Sequence, residues 1–208
     1  MKKHEWKKDE KQIYLPKNQP EIIVIPAFRF FTIRGSGNPN HPEFGNYISA
    51  LYALSYAVKM SPKSGTAPSG YYDYTVYPLE GVWDISEEGK KNYKGVLDKD
   101  TLVFELMIRQ PDFVTPDFAA KMMELTSRKK PDPLISNVEF KTIAEGKCVQ
   151  MLHLGSYDDE PKSFAIMKEF TEKNGLTRKS LIHREIYLSD ARKTDPEKLK
   201  TVLRFCVA

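Results

Sequence analysis

The sequence has little of what several common classes of protein require. Its 208 residues include only two cysteines, Cys148 and Cys206. Two cysteines do not supply the disulfide framework of a small secreted domain, and both lie in apolar, strand-like runs that suit buried thiols. This usage fits a reducing compartment, so we expect a cytoplasmic protein.

Long apolar runs and excess charge of one sign are also missing. The basic N-terminal residues lead into no hydrophobic segment, and we expect no signal peptide and no membrane partner. The 32 basic and 28 acidic residues are interspersed and give a net charge of only +4. This pattern predicts a solvated surface rather than a phosphate-binding stripe, so we expect no nucleic-acid partner.

Motifs for cofactors and nucleophiles are missing as well. The four histidines (His4, His41, His153 and His183) show no metal-ligand spacing with the cysteines. The glycine pair around Ser36 lacks the strand-to-helix context of a phosphate loop, and no nucleophile elbow is present. We therefore predict no metal, no cofactor and no serine triad.

What the sequence does contain is an alternation of strand-like and helix-like segments. Strands are predicted over residues 22–33, 72–79, 101–109, 138–154 (with a turn near Glu145 and Gly146), 181–188 and 199–207. Helices are predicted over residues 43–60, 116–128 (capped by Thr115) and 161–173 (ending at Asn174 and Gly175). These elements predict an α+β fold.

The order of elements occurs twice. A strand, a Gly-Ser loop, a helix and two strands predict pseudo-symmetric halves at about residues 21–112 and 134–208. We expect them to form one domain over residues 21–208, a monomer with a mostly antiparallel sheet, helices on its outer face and a central ligand cleft. Few identities relate the halves, so chance stays an alternative explanation. Residues 1–20 are predicted to be a partly flexible extension, in which Trp6 either covers the cleft or is disordered.

Strand alternation singles out one acid. His183, Glu185 and Tyr187 lie on one side of the strand 181–188, and the opposite side, with Arg184, is mostly apolar. A sheltered Glu185 needs a partner or a raised pKa, which suits it to binding a cation or activating water. Spacing alone favours the other interpretation, an exposed glutamate paired with a lysine or arginine. Glu185 aligns with Thr75 in the repeat, so only one half is expected to supply the acid.

Aromatic residues are the candidates for the walls of a cleft. Tyr157 follows a Gly-Ser turn at a strand end, where side chains often face a cleft. The other candidate ligand-binding residues are His183, Tyr187, Trp83, Tyr71, Tyr72, Phe140 and the adaptable Met107. For Tyr72, Phe140 and Met107, packing without any ligand contact is an equal alternative.

The segment His183-Arg184-Glu185-Ile186-Tyr187-Leu188-Ser189-Asp190, followed by Pro196-Glu197-Lys198-Leu199, resembles the C-terminal signature of GyrI-like small-molecule-binding domains. Residues 77–83 and 107–113 resemble a stand-alone branch of that family, and the resemblance extends over about residues 20–207. It implies paired strand-helix-strand-strand units around a cleft that binds flat, often cationic, aromatic molecules. Too few residues precede the first strand for a helix-turn-helix module, so we expect the free-standing form.

The resemblance also favours a sheltered, ligand-binding Glu185 over an exposed one, and it implies a function. Some stand-alone relatives hydrolyse the cyclopropane ring of cyclopropyl-indole alkylating toxins, which predicts a cofactor-independent, detoxifying hydrolase. In this hypothesis Glu185 orients or deprotonates the attacking water and Tyr157 donates a hydrogen bond. The alternative is a non-catalytic protein that sequesters or senses aromatic or cationic compounds, with Glu185 as counter-ion.

Overall fold

The computed structural model describes residues 3–129 and 131–208. Six strands are present: β1 (Glu21–Ser36), β2 (Leu79–Ile85), β3 (Leu102–Gln110), β4 (Glu139–Leu154), β5 (His183–Tyr187) and β6 (Lys200–Cys206). The α-helices in the described ranges are α1 (Trp6–Asp9), α2 (Lys11–Tyr14), α3 (Phe44–Lys59), α4 (Glu87–Asn92), α5 (Pro116–Lys129), α6 (Pro133–Ser136) and α7 (Glu160–Lys173). The predicted α+β class with antiparallel pairing is confirmed. No helix in the described part of the chain combines the length and apolar character needed to cross a membrane.

The chain divides into two compact units, each assembled from separate segments. Of the described residues, unit 1 draws on 3–4, Phe28–Leu79 and Trp83–Ile143, and unit 2 on Glu5–Ala27, Glu80–Val82 and Ala144–Ala208. The predicted single domain with sequential halves stays a prediction.

Unit 1 pairs the C-terminal part of β1 with β3. The antiparallel register runs from Arg29 opposite Gln110 to Ser36 opposite Val103. Helix α3 packs against β3, α5 and α6, because its apolar residues recur at steps of three and four and Leu51, Leu54 and Val58 are all fully buried. The predicted cap of α5 is confirmed, since Thr115 Oγ1 accepts a 3.2 Å hydrogen bond from the Phe118 amide.

The predicted strand over residues 72–79 is wrong. Strand β2 begins only at Leu79, where this prediction ended. The tyrosines before it surround Phe113 instead, with ring centroids 5.1, 5.1 and 5.9 Å away for Tyr71, Tyr72 and Tyr74. Aromatic packing and an isolated backbone bridge between Tyr74 and His4 order this segment instead of a strand ladder, to which Pro78 has no amide hydrogen to donate. The alignment of Thr75 with Glu185 assumed this strand and loses its basis.

Unit 2 is organised around β6, which pairs antiparallel with both β4 and β5. Its core consists of Val149, Met151, Met167, Leu203, Phe205 and Val207. Phe164 and Phe170 of α7 pack against this core. Helix α7 ends as predicted, with Gly175 at a φ of +65°. The predicted turn near Gly146 is wrong: β4 continues through this residue, and glycine allows the φ of +72° that the backbone has there.

The N-terminal segment contributes α1 and α2 to unit 2. Trp6 is only 4% exposed and its ring lies 5.3 Å from that of Tyr14. Flexibility of residues 1–20 was predicted from the sequence and stays a prediction, whereas the described Trp6 is a buried core residue.

Candidate functional site

Glu185 lies in the middle of β5, opposite Leu203 of β6. Its residue exposure is 8%, so it is not the exposed surface glutamate that spacing alone favoured. His183 Nε2 lies 3.1 Å from Glu185 Oε1, as expected for residues i and i+2 on one face of a strand. The Phe164 ring of α7 packs edge-on against the His183 ring at 4.7 Å. The imidazole is therefore held beside the carboxyl.

A second acid, Glu160, meets Glu185. It is the first residue of α7, is 7% exposed and has a carboxyl oxygen within 4.8 Å of one of Glu185. Its Oε1 makes no hydrogen bond within residues 3–129 and 131–208. Burial first, and then the charge of Glu185 and the hydrogen bond to it, raise the pKa of Glu160 to about 10. These two residues, here called the carboxyl pair, are therefore expected to hold a proton at neutral pH.

Tyr157 and Tyr187 lie together at this site. Their rings meet edge to face with centroids 6.0 Å apart. Burial, and then the charges of Glu185 and Glu160, raise the pKa of Tyr157 to about 12. The hydroxyl of Tyr157 thus remains protonated at neutral pH and is a hydrogen-bond donor.

The turn that carries Tyr157 and Glu160 is fixed by His153. Its Nδ1 lies 2.9 Å from Ser163 Oγ of α7, and its Nε2 lies 2.9 Å from the Ser156 carbonyl oxygen. Ser156 Oγ also accepts a hydrogen bond from the Asp158 amide. Because one buried imidazole joins the start of the turn to the helix, the positions of Tyr157 and Glu160 are set together.

The other face of β5 carries a buried charge network instead of the mostly apolar surface predicted. Arg184 Nη1 lies 2.6 Å from Glu80 Oε2, and Arg184 Nε lies 3.0 Å from Glu145 Oε1. Arg204 Nη1 contacts Glu145 Oε2 at 3.0 Å. Burial alone would lower the pKa of Arg184, but Glu145 and Glu80 raise it above its ordinary value. In this arginine network two cations face two acids; burial raises the pKa of Glu80, and Arg184 and Arg204 oppose that shift.

The remaining predicted ligand residues belong to unit 1. Trp83 packs against Phe44 and Phe104, while Phe140 packs against Phe31. Tyr71 and Tyr72 surround Phe113 and are half-buried, and Met107 has no exposed surface. Their contact with a ligand stays a prediction. Those that unit 2 brings together are His183, Glu185, Tyr187 and Tyr157.

Sequence reasoning missed Glu160 and the grouping of possible ligand atoms around it. One ligand atom each from Glu160, His183 and Glu185 lies within 4.8 Å of the others. A cation bound there would compete with a proton on the carboxyl pair. The acid three residues after Tyr157 was visible, but an acid at a helix start is an ordinary dipole partner, so nothing signalled its burial.

Comparison with known proteins identifies relatives of the whole chain. No curated protein matches the sequence. The model of the GyrI-like small-molecule-binding domain matches residues 18–207. A hydrolase from Listeria innocua is 38% identical, with a TM-score of 0.89 and coverage of 99% of this chain and 100% of the other. A further structure of a hydrolase from the same organism is 40% identical, with a TM-score of 0.90 and complete coverage of both chains.

A more distant structure, the C-terminal domain of EcmrR, shares the fold. It is 16% identical with a TM-score of 0.51, and the match covers 91% of this chain and 97% of that domain. Together, the family match over residues 18–207 and the two similar Listeria structures show that this chain belongs to the GyrI-like small-molecule-binding domain family.

Proposed function

We propose that the protein is a cofactor-independent hydrolase that opens a strained cyclopropane ring in flat aromatic electrophiles of the cyclopropyl-indole type. The observation that carries the proposal is the buried carboxyl pair, in which burial beside Glu185 raises the pKa of Glu160 to about 10. General acid–base chemistry needs a proton acceptor and a proton donor in one site at the same pH. Two similar structures from Listeria innocua are hydrolases, which supports the reaction class.

In the proposed reaction, Glu185 accepts a proton from water as the water oxygen attacks the cyclopropane CH₂ carbon. The carbon–carbon bond of the ring breaks, and its electron pair moves through the conjugated ring to the carbonyl oxygen, which becomes a phenolate. Tyr157 donates a hydrogen bond to that oxygen as its charge develops. The carboxyl pair, which now holds two protons, gives one of them to the phenolate, so that substrate and one water give a hydroxymethyl phenol and the pair regains its starting state.

His183 and the aromatic residues have supporting roles in the proposal. The 3.1 Å contact from His183 Nε2 orients the Glu185 carboxylate. Tyr187 offers a ring face for a flat substrate, and Trp83, Tyr71, Tyr72, Phe140 and Met107 are proposed as further ligand contacts. Aromatic side chains supply broad apolar contact to planar rings.

The second candidate function is binding without chemistry. The family is a small-molecule-binding family, and a buried carboxylate is also a counter-ion for an aromatic cation. In that case Glu185 contributes affinity and the bound compound leaves unchanged.

One kinetic comparison distinguishes the two functions. Wild type, Glu185→Gln and the control Glu169→Gln, an exposed glutamate of α7 paired with Lys173, are incubated with a cyclopropyl-indole compound, and chromatography quantifies the ring-opened product. We expect turnover by wild type and the control, and a loss of about 10²–10⁴-fold in Glu185→Gln. Release of unchanged compound by wild type would support binding alone, and undiminished turnover by Glu185→Gln would remove its catalytic role.

A further inference from the structure

The two cysteines of the chain lie opposite each other on neighbouring strands of unit 2. Cys148 of β4 is the register partner of Cys206 of β6. The next pair outward is hydrogen-bonded, since the Val207 amide donates to the Lys147 carbonyl at 3.0 Å. Cys148 and Cys206 therefore occupy a non-hydrogen-bonded pair, where Cα atoms are about 4.5 Å apart. This separation lies within the range of about 4.4–6.8 Å that a disulfide bridges.

The sulfur atoms already face each other. Cys148 Sγ lies 3.7 Å from Cys206 Sγ and donates its hydrogen to it. Cys206 Sγ in turn lies 3.6 Å from the Glu145 carbonyl oxygen, to which its thiol donates. Since a disulfide bond is about 2.0 Å long, small side-chain rotations suffice to join the sulfurs.

The two thiols differ in a way that assigns their chemical roles. Cys148 is fully buried, while Cys206 is partly exposed. The hydrogen bond from Cys148 lowers the pKa of Cys206 to about 7; burial and Glu145 oppose this shift, and Lys179 and Arg184 support it. The same hydrogen bond raises the pKa of Cys148, as does its burial. Cys206 is therefore the accessible nucleophile and Cys148 the neutral thiol behind it.

Metal binding is the competing use of this cluster. The Glu145 carboxylate also lies near both sulfurs. Its Oε1 is engaged by Arg184 and its Oε2 by Arg204, at 3.0 Å each. Chemistry between the two sulfur atoms needs no change in that network, and we therefore favour it.

We propose that Cys148 and Cys206 form an oxidation site at which a peroxide converts the two thiols into a cross-strand disulfide. The Cys206 thiolate attacks a peroxide oxygen, the O–O bond breaks, and the sulfur becomes a sulfenic acid as hydroxide leaves. The Cys148 sulfur then attacks the Cys206 sulfur. The S–O bond breaks, and the departing hydroxide takes the proton of Cys148 as water. Two thiols and one hydrogen peroxide thus give one disulfide and two waters.

Hydrogen peroxide and thiol counting test the proposal on the full-length protein. Reduced wild type is treated with peroxide at neutral pH, denatured, alkylated with iodoacetamide and weighed as the intact chain. We expect a monomer that takes up no alkyl group after peroxide and two after dithiothreitol. A chain that still takes up two groups after excess peroxide, or that loses thiols only in disulfide-linked dimers, would overturn it.

Two variants assign the order of the steps. In Cys148→Ser we expect a sulfenic acid at Cys206 that dimedone traps, since no second thiol resolves it. In Cys206→Ser we expect Cys148 to lose its thiol at least about tenfold more slowly than Cys206 does in Cys148→Ser, because Cys148 is buried and protonated. Equal reactivity of the two single thiols would contradict the assigned roles. The wild-type measurement shows whether the disulfide forms even if a variant does not fold.

Discussion

Unit 2 buries two groups of acids on opposite faces of β5 and neutralises them in different ways. In the arginine network, Glu80 and Glu145 are offset by Arg184 and Arg204 at 2.6–3.0 Å. In the carboxyl pair, the neighbour of Glu160 is a second acid, Glu185, and burial raises the pKa of Glu160, so the pair is expected to hold a proton. A buried charge held by a fixed counter-ion has a paired partner that it cannot lose without cost, whereas a buried proton can be transferred. The difference separates a structural use of buried acid from a reactive one.

The largest effect is expected where the arginine network loses a cation. Arg184→Met leaves Glu80 and Glu145 buried with one remaining counter-ion, which should lower the free energy of unfolding by about 3–5 kcal/mol. Urea denaturation monitored by circular dichroism measures this change.

The matched control is Arg192→Met, since the Arg192 side chain is 82% exposed and pairs with Asp190. We expect a change of less than about 1 kcal/mol there. The double variant Glu80→Gln/Arg184→Met should lose less stability than Arg184→Met, because it removes one uncompensated charge. Equal losses in Arg184→Met and Arg192→Met would show that the network does not stabilise the fold.

A smaller, pH-dependent effect is expected at the carboxyl pair. The pKa of Glu160 rises from 4.5 to about 10 on folding, so the native state binds a proton that the unfolded chain releases. The stability contribution of Glu160 is therefore complete below pH 4.5 and is lost as pH rises towards about 10. Glu160→Gln removes this dependence. The free energy of unfolding of the variant should therefore gain roughly 2 kcal/mol relative to wild type between pH 5 and pH 8. This gain is smaller than that of an isolated group, because the two acids of the pair titrate together.

Thermal unfolding across that pH range measures the difference, with Glu169→Gln as the control from the exposed side of α7. Its curve should run parallel to that of wild type. A Glu160→Gln curve that is also parallel to wild type would mean that Glu160 is ionised in the folded protein.

Local patterns predicted the elements whose signals are local. The periodicity of α3, the Thr115 cap of α5 and the Gly175 end of α7 all appear within a few residues of sequence. The β-branched and aromatic composition of residues 72–79 predicted a strand that is absent there, because the tyrosines of this segment pack around Phe113. Composition alone does not distinguish a ladder from an aromatic cluster.

The candidate site was predictable only in part for the same reason. His183 and Glu185 are neighbours on one strand face, so alternation placed them together. Glu80 and Arg184 are 104 positions apart, and Glu145 and Arg204 are 59 apart, which no local spacing reveals. Glu160 reaches Glu185 only because α7 and β5 pack in one unit, so the proton of the carboxyl pair is a property of tertiary structure.

The central claim is that the carboxyl pair keeps a proton at neutral pH. Infrared difference spectroscopy tests it directly, by comparing wild type with Glu160→Gln at pH 7 in the range of the protonated carboxyl C=O stretch. We predict a protonated-carboxyl band in wild type that is lost in Glu160→Gln and unchanged in Glu169→Gln. A wild-type spectrum at pH 7 with only carboxylate bands from its acidic residues would contradict the claim.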